Sequence, residues 1–230
     1  MATAIQTHEL ELTEPVDLCD ARGRLNPVAV GWSRRPLHRC NVSGHWPRKK
    51  KWNYWAVTSD RYLFSATVAN VDYAGLAFVY FLDFETGRYL EKTITVPFGR
   101  GFVLRETVEG DAAFSDKRIS VSLKGEGGGT RIRVECPDFG GVPLAADVLA
   151  TRPAGHETLN VVIPWSADRF QFTSKQNTLP AAGEVRLGSD VYTFESGKSF
   201  GCLDYGRGVW RYRCFWNWGA GSGVQGGRTV

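Results

Sequence analysis

RYLFSATVANVDYAGLAFVYFLDF, residues 61–84, decides the fold class. Two apolar runs, Arg61 to Val71 and Ala74 to Phe84, are separated only by Asp72 and Tyr73, and strands joined this tightly can pair only antiparallel. Asp72 reads as a turn residue, a role Asp favours, or as a carboxylate at a barrel mouth. Phe84-Glu85-Thr86-Gly87-Arg88 is a second tight turn, leading into the alternating strand Tyr89 to Val96, which Pro97 and Gly99 end.

The same grammar continues downstream. Phe114 to Lys124 and Thr130 to Cys136 flank the glycine-rich turn 125–129, a hairpin signature. His156 to Trp165 and Arg169 to Lys175 pair around Ser166-Ala167-Asp168, and Gly183 to Leu187 pairs with Val191 to Phe194 across Gly188-Ser189-Asp190. Pro137 to Pro153 is loop-like, with Val142 to Ala150 as an edge strand. Upstream, Gly23, Pro27, Gly31 and Pro36 punctuate a loop, with Trp32 capping the barrel end. Nowhere does the 3.6-residue period of an amphipathic helix run for more than about ten residues. The expectation is an all-β, antiparallel barrel or sandwich.

Composition agrees: 13% aromatic residues and 26 glycines with one methionine suit sheets joined by turns. The formal charge of +4 is mild and dispersed, so a nucleic-acid partner is not expected. The longest apolar run, Leu76 to Leu82, is far below the roughly 18 residues of a membrane span. The five cysteines show neither CxxC pairing nor a disulfide framework. They read as reduced thiols, and with no signal-like N-terminus the expected location is cytoplasmic.

Chemistry concentrates in SFGCLDYGRGVWRYRCFWNWGAGSG, residues 199–223, where Asp204, Arg207, Arg211 and Arg213 interleave with Tyr205, Trp210, Tyr212, Phe215, Trp216 and Trp218. This is either a strand from Val209 to Trp218 with an aromatic and a basic face, or a pocket and its rim, since pockets are aromatic-lined with a few placed polar groups. A second such stretch is PRKKKWNYW, residues 47–55. Its cations Arg48 to Lys51 are a solvated turn or a seat for an anion beside the rings Trp52, Tyr54 and Trp55. The candidate ligand-binding residues are Trp52, Trp55, Tyr73, Arg207, Trp210, Trp216, Asn217 and Trp218. Asp72 and Asp204 are the candidate acid/base pair, each beside Tyr in an aromatic stretch.

Tempting motifs fail on mechanism. Gly221-Ser222-Gly223-Val224-Gln225-Gly226 spells GxGxxG but nothing helical follows to receive a pyrophosphate. His38, Cys40 and His45 are the only clustered zinc-type donors, short of the four a structural site needs. Neither a metal nor a cofactor is expected, and no triad order or nucleophile elbow is visible.

GWSRRPLHRCN, PRKKKWNYW, VDYAGLAFVYFLDFETGRY, PDFGG, GHETLNVVIPW, RFQFTSKQNTLPA, CLDYGRGVWRYRCFWNWGAGSG and QGGRTV, in this order from about Gly31 to the last residue, resemble the family of domain of unknown function 2804. That family is similar, more remotely, to lipocalin-like double-barrel proteins such as carotenoid hydratases and tocopherol cyclases. The resemblance implies a double barrel with its second barrel incomplete: an N-terminal tail and edge segment at 1–30, a first barrel at 31–175 and the start of a second at 176–230. Members run on past QGGRTV, so the chain is expected to be a truncated form with unpaired strand edges prone to self-association. The implied function is binding, and hydration or isomerisation, of a small, largely apolar ligand within an aromatic-lined barrel. The alternative is a carbohydrate-binding or carbohydrate-processing module with an open Trp-lined groove.

Overall fold

The computed structural model describes residues 9–229. The residues 1–8 of the expected N-terminal tail lie outside that range. Twelve strands carry the fold: β1 Lys49–Thr58, β2 Tyr62–Asn70, β3 Ala74–Asp83, β4 Tyr89–Pro97, β5 Ala112–Ser115, β6 Ser120–Glu126, β7 Gly129–Phe139, β8 Val142–Thr151, β9 Leu159–Ser166, β10 Arg169–Leu187, β11 Asp190–Phe194 and β12 Phe200–Val209. They belong to one curled antiparallel sheet with the order β4-β3-β2-β1-β12-β10-β8-β7-β6-β5. β9 and β11 attach to β10 on either half of its length. The fold is all-β, and its main sheet is antiparallel, as the 61–84 hairpin leads one to expect; beside it lies a short parallel pair, Val16–Asp17 with His38–Arg39.

Strand β10 organises the rest. Its first half lies between β9 and β12, and its second half pairs with β8 and β11. The join is a bulge: pairing with β12 shifts between Gln176 and Leu179, and Thr178 takes φ of 62°. A bulge bends and twists a strand sharply, so one strand serves two oppositely placed parts of the sheet. Beyond the bend Gly183 allows β8 to come close, for a Cβ there would stand 2.2 Å from the Asp147 carbonyl oxygen.

Three sequence expectations change here. The segments 169–175 and 183–187 are one strand, because the bulge reads locally as an interruption. Val142 to Ala150 lies between β7 and β10 instead of on an edge. The boundary expected at 175/176 falls inside β10, and Phe170 and Phe172 share one core cluster with Val185 and Leu187. Residues 176–209 therefore complete the first sheet. After Val209 the described chain is irregular, apart from the two-residue ribbon of Val224–Gln225 with Arg228–Thr229.

Alternation places the core. Phe64, Ala66 and Val68 of β2 and Ala77, Val79 and Phe81 of β3 face inward, against Val121, Leu123, Ile132 and Val134 from the other side of the curl. Trp55 and Tyr205 join them, almost fully buried. The interior of the curl is packed with these side chains. The opposite face of β1, β12 and β10 is the one left for a site.

Candidate functional site

The outward residues of β12 are Asp204, Gly206 and Gly208. Two glycines two apart leave a strip of bare backbone, and neighbouring side chains lie down in it. Trp52, the register partner of Gly206 on β1, lays its indole across the strand: a Cβ on Gly206 would sit 2.0 Å from Trp52 Cζ2. A Cβ on Gly208 would sit 2.4 Å from the Phe170 carbonyl oxygen and 2.7 Å from Gln171 Oε1.

At Trp210 the chain leaves the sheet and turns back over this face. Trp210 is buried, its Nε1 donates to Gln171 Oε1, and its carbonyl accepts from Arg48 Nη2 at 2.8 Å. Further on, Asn177 Nδ2 donates to the Gly221 carbonyl at 2.7 Å and Ser222 Oγ donates to Asn177 Oδ1 at 3.2 Å. The strap is thus tied at both ends, and its far anchor is the β10 bulge. Between strap and sheet lies a pocket of about 490 Å³, lined by Trp52, Trp165, Trp210, Trp216 and Trp218 with Ile163 and Phe215.

The rings meet edge to face. Trp210 contacts Trp52, Trp165 and Trp216 at interplanar angles of 80°, 73° and 88°, and Trp218 meets Tyr54 at 83°, the favoured arrangement of ring quadrupoles. Cations cover two of the faces: Lys50 Nζ lies 4.4 Å from the Trp210 centroid and Lys175 Nζ 4.9 Å from that of Trp218.

The polar heart of the pocket is Lys175 and Asp204, register partners on β10 and β12. Their charged atoms stand 2.5 Å apart, with the side chains only 24% and 18% exposed. Gln171, Thr173 and Asn217 add uncharged polar groups to the lining, and Arg211 and Arg213 add charged ones. Alongside, Tyr54 and Tyr80 share a 2.6 Å hydroxyl contact. Burial, and then that contact, hold the Tyr54 phenol well above its ordinary range.

The structure brings together Trp52, Asp204, Trp210, Trp216, Asn217 and Trp218. The others stand elsewhere. Trp55 is a core side chain, and Tyr73 is exposed on the β2–β3 turn. Asp72 occupies that turn with φ of 72°, where it accepts from the Lys49 amide at 2.9 Å and pairs with Lys49 Nζ at 3.1 Å. Asp204 is opposite Tyr54, five residues along β1 from Lys49 and thus about 17 Å away at strand rise. The two carboxylates do not form a pair.

Arg207 points inward and is 1% exposed. It donates to the carbonyls of Trp52, Gly206 and Arg105 and to Asn53 Oδ1, and stacks 3.8 Å from the Tyr205 centroid. Burial pulls its pKa down, and its role is to tie β12 to β1. The run at Arg48 to Lys51 divides likewise: Arg48 and Lys50 face the strap, while Lys49 holds Asp72.

Residue-level reading missed Trp165, Gln171 and Lys175 as site members. The hairpin at 156–175 was legible, but its placement beside β12 is a pairing across some thirty residues of sequence. Of the two readings of Val209 to Trp218, the strand ends at Val209, and the residues after it form an irregular strap that lines the pocket, because ring and charge alternate there without a partner strand to pair with.

His38 Nε2 is spent on the Ala29 carbonyl and His45 Nε2 on that of Gly23, each at 2.9 Å. Among the described residues no group of three or more His, Cys, Asp or Glu is placed to hold a metal, and no helix is long and apolar enough to cross a membrane.

Residues 9–230 match the model of the family described as domain of unknown function (DUF2804), and the chain belongs to that family. No curated protein matches it. Among solved structures it is similar to a protein of Nitrosomonas europaea provisionally assigned as AttH, at 12% identity and TM-score 0.48, covering 74% of this chain and 54% of that one. It is also similar to kievitone hydratase from Nectria haematococca, at 12% identity and TM-score 0.37, covering 70% and 48%. The chain thus spans about half the length of these structures. At such scores the likenesses say nothing of function.

Proposed function

We propose that this member of the DUF2804 family binds a small, largely apolar molecule in the pocket between β12 and the strap at 210–223. The observation that carries the reading is the convergence of five indoles on about 490 Å³ around one ion pair, since small-molecule sites are apolar hollows with a few placed polar groups. The edge-to-face rings, with Lys50 and Lys175 over two of the faces, form a cage instead of the flat row of ring faces that suits a glycan. That favours the apolar ligand over the carbohydrate alternative. Asp204 orients the ligand's polar group, with Asn217 and Gln171 as further partners. Should the site hydrate or isomerise its ligand, Asp204 is the base and Lys175 the adjacent proton donor. Five free cysteines suit a reducing compartment, and we place the protein in the cytoplasm on that ground.

The test is binding of the neutral apolar dye N-phenyl-1-naphthylamine, with native mass spectrometry for co-purifying ligand. Trp216→Ala/Trp218→Ala is expected to weaken dye binding about tenfold, the effect of losing about 1.4 kcal/mol of contact, with unfolding unchanged because both rings are partly exposed. Unaltered dye binding in that variant refutes the pocket.

A further inference from the structure

The charges around the pocket do not balance. Lys175, Arg211 and Arg213 line it against Asp204 alone, and Asp204 is already paired with Lys175. Arg211 and Arg213 lie exposed on the strap, and among the described residues neither forms an ion pair with an Asp or Glu. Two further cations stand over the same aromatic wall. Lys50 caps Trp210, and Arg48 holds the Trp210 carbonyl while its guanidinium lies 5.8 Å over Tyr212. The apolar hollow therefore opens through a rim of one sign.

We infer that the ligand is an amphipathic monocarboxylate, with its apolar body among the indoles and its carboxylate at Arg211 and Arg213. This rests on the pocket reading above and names the ligand class for it. A guanidinium offers planar paired donors that match a carboxylate, and it desolvates more readily than an ammonium. A quaternary ammonium, the other common guest of tryptophan cages, meets five cations here against one carboxylate that is already paired. A neutral amphiphile gains the same apolar contact but nothing from the rim.

Three probes with one tail separate these cases: decanoate, decanol and decyltrimethylammonium, each below its micellar range, titrated against tryptophan fluorescence at neutral pH. Decanoate is expected to bind about tenfold tighter than decanol, with the margin shrinking in high salt because exposed charges are screened. Arg211→Gln/Arg213→Gln should abolish the margin and leave decanol binding and thermal unfolding unchanged. Equal binding of decanoate and decanol, a margin that survives the double variant, or preference for the ammonium each overturns the inference while leaving the pocket standing. If none of the three binds, the pocket reading itself falls.

Discussion

Gly206→Ala should damage the molecule through Trp52 alone, and the size of the effect follows from geometry. The added methyl would stand 2.0 Å from Cζ2 and 2.3 Å from Cε2 of the indole, whereas carbon atoms rest about 3.5–4.0 Å apart. The ring must therefore move by about 1.5 Å. It has no free direction outward, since Trp210 packs edge-on at 5.5 Å and is itself held by Gln171. Overpacking of this kind costs about 1–3 kcal/mol. The stiffer Ala backbone offsets roughly 0.5–1 kcal/mol of it, leaving about 1–2 kcal/mol of net loss. In a Trp52→Ala background the obstacle is gone, so Gly206→Ala should be neutral or slightly stabilising there. Urea unfolding of the four proteins of the cycle measures the coupling, expected near 2 kcal/mol, and dye binding reports whether the pocket wall has shifted. Additivity within about 0.5 kcal/mol, the ordinary limit for independent sites, would show that the ring does not lie on Gly206 and would remove the physical reason for the pocket.

Three further outcomes are expected. Arg207→Met removes four hydrogen bonds from a buried site and leaves Asn53 Oδ1 without its guanidinium partner; at about 1–3 kcal/mol for an orphaned buried group, urea unfolding should show a loss of about 1–3 kcal/mol. His38 is buried, and burial holds its imidazole below the ordinary value of 6.5. The unfolded chain then takes up the proton first, so stability is full above that value and falls as pH drops below it, by up to about 1.4 kcal/mol per pH unit; His38→Gln should flatten this decline between about pH 6.5 and 5, above the range where carboxylates titrate. Burial pushes the thiols of Cys19, Cys40 and Cys202 up to about 12, and raises that of Cys136, while Cys214 lies exposed at the pocket. Ellman's reagent should therefore label one thiol of five in the native protein and all five in denaturant; labelling of a second native thiol at a comparable rate contradicts the packing.

Much of the architecture was legible because it is local. The hairpins at Asp72-Tyr73, at the 125–129 glycines and at Ser166-Ala167-Asp168 all form, since a short turn between alternating runs leaves the chain no other pairing; but Phe114 to Lys124, read as one strand, is itself folded into β5 and β6. Half of the candidate site was legible for a weaker reason: indoles beside Asp204 mark a place where charge and ring must share an environment. The errors have a common cause. Asp72 and Arg207 looked like site residues by composition, yet one is a turn residue holding Lys49 and the other an interior tie between strands, and the two faces of a strand carry no label in the sequence.

By itself the sequence determined the all-β class, the antiparallel hairpins and the aromatic, glycine-spaced segment from which the pocket is made, because turn chemistry and two-residue alternation act over a few residues. Only the tertiary structure decided which face of β12 is outside, that Lys175 stands opposite Asp204, and that Trp165 joins Trp210 from a strand some forty residues earlier. Those depend on β10 bending at its bulge and on pairings between distant strands. Their register is set by the packing of the whole core.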